Sequence, residues 1–161
     1  MQEFFQSSLG AKLSVSQVVR EIVAFMQAAP ERNYTVTIGT DSELMSSKDA
    51  DFVTAVVVHR VGNGGRYFWR QGTVGKFYTL RDRIIREVMT SLDLAKELIT
   101  ILKNEDIPNI RWDFEIHADV GEKGETKVMI QEVVGMIRAH NFEARTKPES
   151  YAASNVADRH V

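Results

Sequence analysis

Between Val15 and Met26 the apolar residues Val15, Val18, Val19, Ile22, Val23 and Met26 recur on one face at helical spacing, which predicts an amphipathic helix. Ser14 or Ser16 is placed to cap it and Pro30 to stop it. From Tyr34 the period changes to two. Val36, Ile38 and Thr40 then share one face of a predicted strand, and Thr35, Thr37, Gly39 and Asp41 share the other. This strand therefore delivers one carboxylate, Asp41, at the end of its more polar face. Residues 43–51 are polar and turn-like, residues 52–60 read as a central strand, and Asn63-Gly64-Gly65 signals a hairpin. The returning strand, 66–71, alternates aromatic and basic residues before residues 72–76 break the pattern.

A long helix follows over 80–103, where Ile84, Ile85, Val88, Leu92, Ala95, Ile99 and Leu102 trace a stripe broad enough to cover a sheet. Pro108 closes that region. Ile110, Trp112, Phe114, Ile116 and Ala118 next alternate with Arg111, Asp113, Glu115, His117 and Asp119, a second strand that ends in a carboxylate. The loop 120–125 leads to a helix with Val128, Met129, Val133, Val134 and Ile137 inward. A short strand at 142–145 and a final Ala-rich helix, opened by Pro148 and Ser150, complete the chain. Three antiparallel strands followed by β-α units predict a mixed five-stranded α/β sheet covered by helices, with an extra N-terminal helix.

Length and composition narrow the classes. A chain of 161 residues with 43% apolar content suits one domain over 1–161 with one sizeable core, residues 1–30 forming an N-terminal helical extension. Twenty Lys and Arg against 22 Asp and Glu leave a net charge of −2, so a phosphate-binding surface must be a local patch. With no cysteine, disulfides and thiolate chemistry are excluded and any metal must be held by oxygen or imidazole. The opening Met1-Gln2-Glu3-Phe4-Phe5 lacks the charge and apolar run of a signal peptide, and no segment has the apolar length to cross a bilayer. The expectation is a cytoplasmic protein with no membrane partner.

The two strand-terminal aspartates carry the chemistry. If their strands are parallel neighbours, Asp41 and Asp119 stand side by side, and two close carboxylates favour a proton or a hard cation such as Mg²⁺ or Mn²⁺ between them. A two-metal phosphoryl-transfer site, with ions roughly 3.5 to 4 Å apart, needs further carboxylates. Glu87 borders the apolar stripe of the long helix on one side and Asp82 on the other. On the last helix Ala153, Val156 and Ala157 form a small-residue face that permits close approach to the sheet, with Asp158 beside it. Each aspartate taken alone also suits a turn or a solvated helix end.

Ile38-Gly39-Thr40-Asp41-Ser42 on the first strand, a helix glutamate, His117-Ala118-Asp119-Val120-Gly121, and Asn155-Val156-Ala157-Asp158 resemble the ribonuclease H-like superfamily, more narrowly its YkuK-like family of poorly characterised bacterial proteins. The resemblance runs from about Tyr34 to the C-terminus. It implies a nuclease acting on nucleic acid with Mg²⁺ or Mn²⁺, in which Asp41, Glu87, Asp119 and Asp158 are the catalytic and metal-binding carboxylates. Ordinary ribonuclease H has a basic handle region and lacks the N-terminal helix, so the substrate is left open between RNA, DNA, hybrid and branched forms.

Further residues have two readings. His117 shares a strand face with Asp119 and suits either a supporting role or a hydrogen-bonded structural one. Arg81, Arg83, Arg86, Lys123, Lys127, Arg145, Lys147 and Arg159 fall near the expected site and can contact phosphates. Tyr67, Phe68 and Trp69 suit base stacking or core packing. Two other functions compete: a noncatalytic binding module on the same fold, and a nucleotide-binding relative of actin-like ATPases. For the latter, Gly39-Thr40-Asp41-Ser42 and the stretch from Asp119 to Thr126 loosely resemble phosphate loops.

Overall fold

The computed structural model describes residues 3–105, 107 and 109–161. Pro108, expected to close the segment after the long helix, lies outside the described residues, as do Met1 and Gln2. The strands are β1 (Phe5–Ser7), β2 (Lys12–Leu13), β3 (Asn33–Leu44), β4 (Ala50–Arg60), β5 (Gly65–Val74), β6 (Arg111–His117) and β7 (Glu143–Arg145). The helices are α1 (Val15–Gln27), α2 (Leu80–Lys103) and α3 (Ile130–Ala139).

One sheet runs in the order β2-β1-β5-β4-β3-β6-β7. Strands β3, β4 and β5 are the expected antiparallel meander, while β6 pairs in parallel with β3 and β7 with β6. Among the described residues the sheet therefore has seven strands where the sequence pattern predicts five. Both additions lie in the segment expected to hold only a helix. There Phe5 is fully buried and Gln6 and Ser7 pair with Trp69 and Phe68 of β5. Strands of three and two residues are too short to show alternation, which is why the pattern does not reveal them. The turn expected over 43–51 is also tighter, since pairing between β3 and β4 extends to Leu44 and Ala50.

The two helices before the second half of the sheet start where their caps dictate. The Ser14 hydroxyl accepts from the Gln17 amide at 3.2 Å and the Gln17 side chain accepts from the Ser14 amide at 2.8 Å, a reciprocal capping box. Thr79 caps α2 by accepting from the Asp82 amide at 3.1 Å. Helices α1, α2 and α3 all bury their stripes on one face of the sheet, against Val36, Ile38, Val56, Val58, Phe68 and Ile116. Val128, expected inward, is 88% exposed. It sits in a 3₁₀ turn, Glu125–Met129, whose tighter pitch rotates it away from the face that Val133 and Ile137 bury.

The other face of the sheet is covered by the C-terminal segment. A π-helical turn, Ala152–Ala157, and a 3₁₀ turn, Asp158–His160, replace the expected α-helix. Ala157 packs there with Val53 and Ala55. Where the segment crosses β3, only glycine fits: a Cβ at Gly39 would lie 2.3 Å from the Ala153 amide nitrogen. Among the described residues no helix is long and apolar enough to cross a membrane.

Candidate active site

The parallel register of β3 and β6 sets Gly39 opposite His117, so Asp41 and Asp119 each follow two residues beyond that pair. Adjacent strand residues face opposite sides, and Ser42 points to the α2 face while Asp41 points to the face crossed by the C-terminal segment. The site is thus assembled from both faces at one end of the sheet.

On the α2 side, Glu87 is 5% exposed and accepts a 2.5 Å hydrogen bond from the Ser42 hydroxyl at Oε1. Arg83, one turn earlier on the helix, donates to the Ser42 carbonyl at 2.7 Å and to its hydroxyl oxygen at 3.0 Å. Burial pushes Glu87 well above the usual carboxylate range; the Ser42 bond and Arg83 oppose the shift, and Asp41 and Asp119 add to it. The alternative helix carboxylate, Asp82, is exposed in the first turn of α2, where it complements the helix dipole. Glu87 is therefore the helix carboxylate that reaches the aspartates.

On the opposite side Asp41 is pushed up to about 7, first by burial and then by the charge of Asp119, with a hydrogen bond to Asp158 contributing. A carboxyl held at about 7 keeps its proton through mildly acidic pH, and with that proton Asp41 can donate to Asp158. Asp119 accepts from the Ser154 hydroxyl at 2.6 Å and from the Lys147 ammonium at 3.2 Å, both at Oδ1. Asp41 feels the charges of Asp119 and Asp158, and Glu87 those of Asp41 and Asp119, so the four expected carboxylates are linked through Asp41 at this end of the sheet.

They do not stand as a preformed ligand cage. Among the described residues no group of three or more His, Asp or Glu side chains has that arrangement. The reason is local: Ser42 draws Glu87 to one side, and Ser154 and Lys147 draw Asp119 to the other. The donor set nonetheless fits a hard divalent cation. It is all oxygen, its four carboxylates outnumber the cations beside them, and the contacts that Asp119 makes with Ser154 and Lys147, and Glu87 with Ser42, occupy only one oxygen of each.

His117 is a structural support. Its ring is fully enclosed, Nδ1 accepts from the Ala152 amide at 3.1 Å, and Nε2 donates to Glu115 at 2.9 Å. Burial lowers its pKa, with Glu115 opposing, which keeps the ring neutral and able to accept. It thereby satisfies a first-turn amide that has no partner within its own helix and pins the segment bearing Asp158.

Residues 17–161 match the family described as Ribonuclease H-like. The chain belongs to the ribonuclease H-like family. It is also 32% identical over 158 residues, covering 92% of this chain and 91% of the relative, to the uncharacterized protein YkuK of Bacillus subtilis (strain 168). No solved structure matches. Three residues of this ribonuclease H-like chain, Ser42, Ser154 and Lys147, escape sequence reasoning as contacts of the carboxylates. Ser42 lies in the first-strand stretch and Lys147 among the cations expected near the site, but no sequence signal pairs either with a particular carboxylate; Lys147 is brought in by its backbone amide, which donates to Val120 beside Asp119 at 2.8 Å. The cations expected to bind phosphate are mostly engaged: Arg81 pairs with Glu132, Lys127 with Glu122, and Arg145 with Glu115 and Glu143. Arg86, Lys123 and Arg159 are exposed and make no ion pair among the described residues.

Proposed function

We propose that this chain is a divalent-metal-dependent phosphodiester hydrolase of nucleic acid, with Asp41, Glu87, Asp119 and Asp158 as the donors for Mg²⁺ or Mn²⁺. The observation that carries this reading is Asp41, a strand carboxylate pushed up to about 7 by burial and by two neighbouring aspartates. Carboxylates so crowded mark a place short of positive charge. When bound, the cations would polarise the phosphodiester and ease deprotonation of the attacking water. Asp41 and Asp119 serve as primary donors, and Asp41 gives up its own proton. Glu87, fixed by Ser42 and flanked by Arg83, orients the water.

The test is a cleavage panel of single-stranded RNA, single-stranded DNA, hybrid and branched substrates in Mg²⁺ and in Mn²⁺, with Asp119→Asn alongside. Cleavage that vanishes in a folded Asp119→Asn protein supports the site. Undiminished cleavage in that variant would place the activity elsewhere.

Metal binding should also be proton-linked. Because a cation displaces the proton held by Asp41, Mn²⁺ affinity is expected to rise between about pH 6 and about pH 8, with proton release on binding. Calorimetry in buffers of different ionisation enthalpy reads both, and pH-independent affinity would contradict the assignment.

A noncatalytic binding module is the second reading, favoured by Lys147, whose ammonium on Asp119 already offsets part of the charge. Absence of saturable Mg²⁺ or Mn²⁺ binding would select it. The actin-like reading lacks its phosphate contacts: Thr40 is buried against Thr54 and Ser91, and the Thr126 hydroxyl accepts from the Gly121 amide.

A further inference from the structure

The ladder of the meander places an aromatic pair on the same face as Asp41. Asp41 pairs with Val53 and Val53 with Gln71; one pleat along, Gly39 pairs with Ala55 and Ala55 with Trp69; one further, Thr37 pairs with Val57 and Val57 with Tyr67. Directly paired residues point to one face, so Gln71, Trp69 and Tyr67 line β5 on the carboxylate side. Trp69 lies two strands from Gly39, about 10 Å across the sheet at the usual strand spacing. Phe68, by contrast, turns into the core.

Tyr67 and Trp69 stack with ring centroids 5.5 Å apart. A third ring is laid on them. His160 lies parallel to the Trp69 indole, 3.9 Å between centroids and 8° between planes, and 6.0 Å from Tyr67. Its Nε2 is buried with no hydrogen-bond partner among the described residues. A heteroaromatic ring held flat on an indole, with its polar edge unsatisfied, occupies the position that a nucleobase would take while giving up a hydrogen bond to do so. The ring comes from the segment that also carries Asp158, so the stack and the carboxylates are bridged by adjacent residues, with the exposed Arg159 between them.

We propose that Tyr67 and Trp69 form a stacking subsite for an unpaired nucleobase of a strand whose phosphodiester lies at the carboxylates, and that His160 fills this subsite in the free protein. The proposal rests on the nuclease reading for its strand path. A base within a duplex has both faces covered by its neighbours, so the subsite selects single-stranded or locally opened nucleic acid. Gln71, on the same face beside Trp69, supplies an amide able to meet a base edge.

The experiment uses the full chain with Trp112→Phe, which leaves Trp69 as the only tryptophan of the two. Asp41→Asn and a chelator separate binding from cleavage. Titration with oligouridylate, oligothymidylate and a matched duplex, read by Trp69 fluorescence, is expected to show saturable quenching by the single strands, with the duplex roughly tenfold weaker or more. His160→Ala should tighten single-strand binding several-fold by removing the competing ring. Trp69→Leu should weaken it roughly ten- to hundredfold, read by anisotropy of a labelled strand, with Tyr67→Leu as the second variant if Trp69→Leu does not fold. Unaltered Trp69 fluorescence, or equal affinity with and without His160, would overturn the subsite. Quenching by a strand that the parent protein never cleaves would keep the subsite and remove the nuclease reading. Cleavage of a strand that leaves Trp69 unaffected would do the reverse.

Discussion

Replacing Asp41 with Asn is expected to reduce metal-dependent cleavage by a factor on the order of 10⁴, as when one member of a group acting as a unit is lost, and to stabilise the fold. Asp41 sits at about 7 in the folded chain, against about 3.9 for an unfolded aspartate. Between those values the folded state keeps a proton that the unfolded state has released. Folding is thus favoured most at low pH, and the contribution drains away as pH rises through about 7. The full swing is on the order of 4 kcal/mol. A neutral amide has no such dependence, so above about pH 7 the Asn variant should be more stable than its parent by roughly 1 to 3 kcal/mol. Denaturant unfolding at about pH 6 and about pH 8 in chelator reads this. Identical pH profiles for the two proteins would show that Asp41 is not crowded by its neighbours.

Gly39→Ala should be the most damaging single-methyl change available. The added Cβ meets backbone on the crossing segment, at 2.3 Å from Ala153 nitrogen and 2.6 Å from the Ala152 carbonyl carbon, and backbone cannot swing aside as a side chain can. Forcing a methyl into such a contact costs about 2 to 3 kcal/mol. Relief requires the segment to lift, which withdraws Asp158 from Asp41 and His160 from Trp69 together. A lowered denaturation midpoint accompanied by altered Trp69 fluorescence is therefore expected. Gly135→Ala is the matched control: it lies in α3 with open space around the new methyl, and should gain roughly 0.5 to 1 kcal/mol. Equal effects at the two positions would mean that the crossing is loose.

The sequence pattern located most elements because their signals were long. Helix α2 runs from Leu80 to Lys103, the span its apolar stripe predicts, since a wide stripe over many turns leaves little freedom of placement. Asp41 and Asp119 were legible from the parallel pairing that the meander and crossover imply. Glu87 and Asp82 were not separable on the helical wheel, because both border the stripe. What separates them is the Ser42 hydroxyl, contributed by a strand far away in the chain. Ser154 on Asp119 and His160 on Trp69 are hidden for the same reason, as contacts made by a segment whose turns depart from α geometry.

The short β1–β2 hairpin gives the sheet its borders. Strand β5 spans ten residues and would otherwise present an open row of amides and carbonyls beside alternating aromatic side chains, a template onto which another chain could add. Gln6 and Ser7 occupy the middle of that row, and the sheet then ends in the two residues of β2 on one side and the three of β7 on the other. A β5 row interrupted at its middle and flanked by edges this short leaves no long continuous stretch to pair with, a restraint on strand addition built into the chain itself.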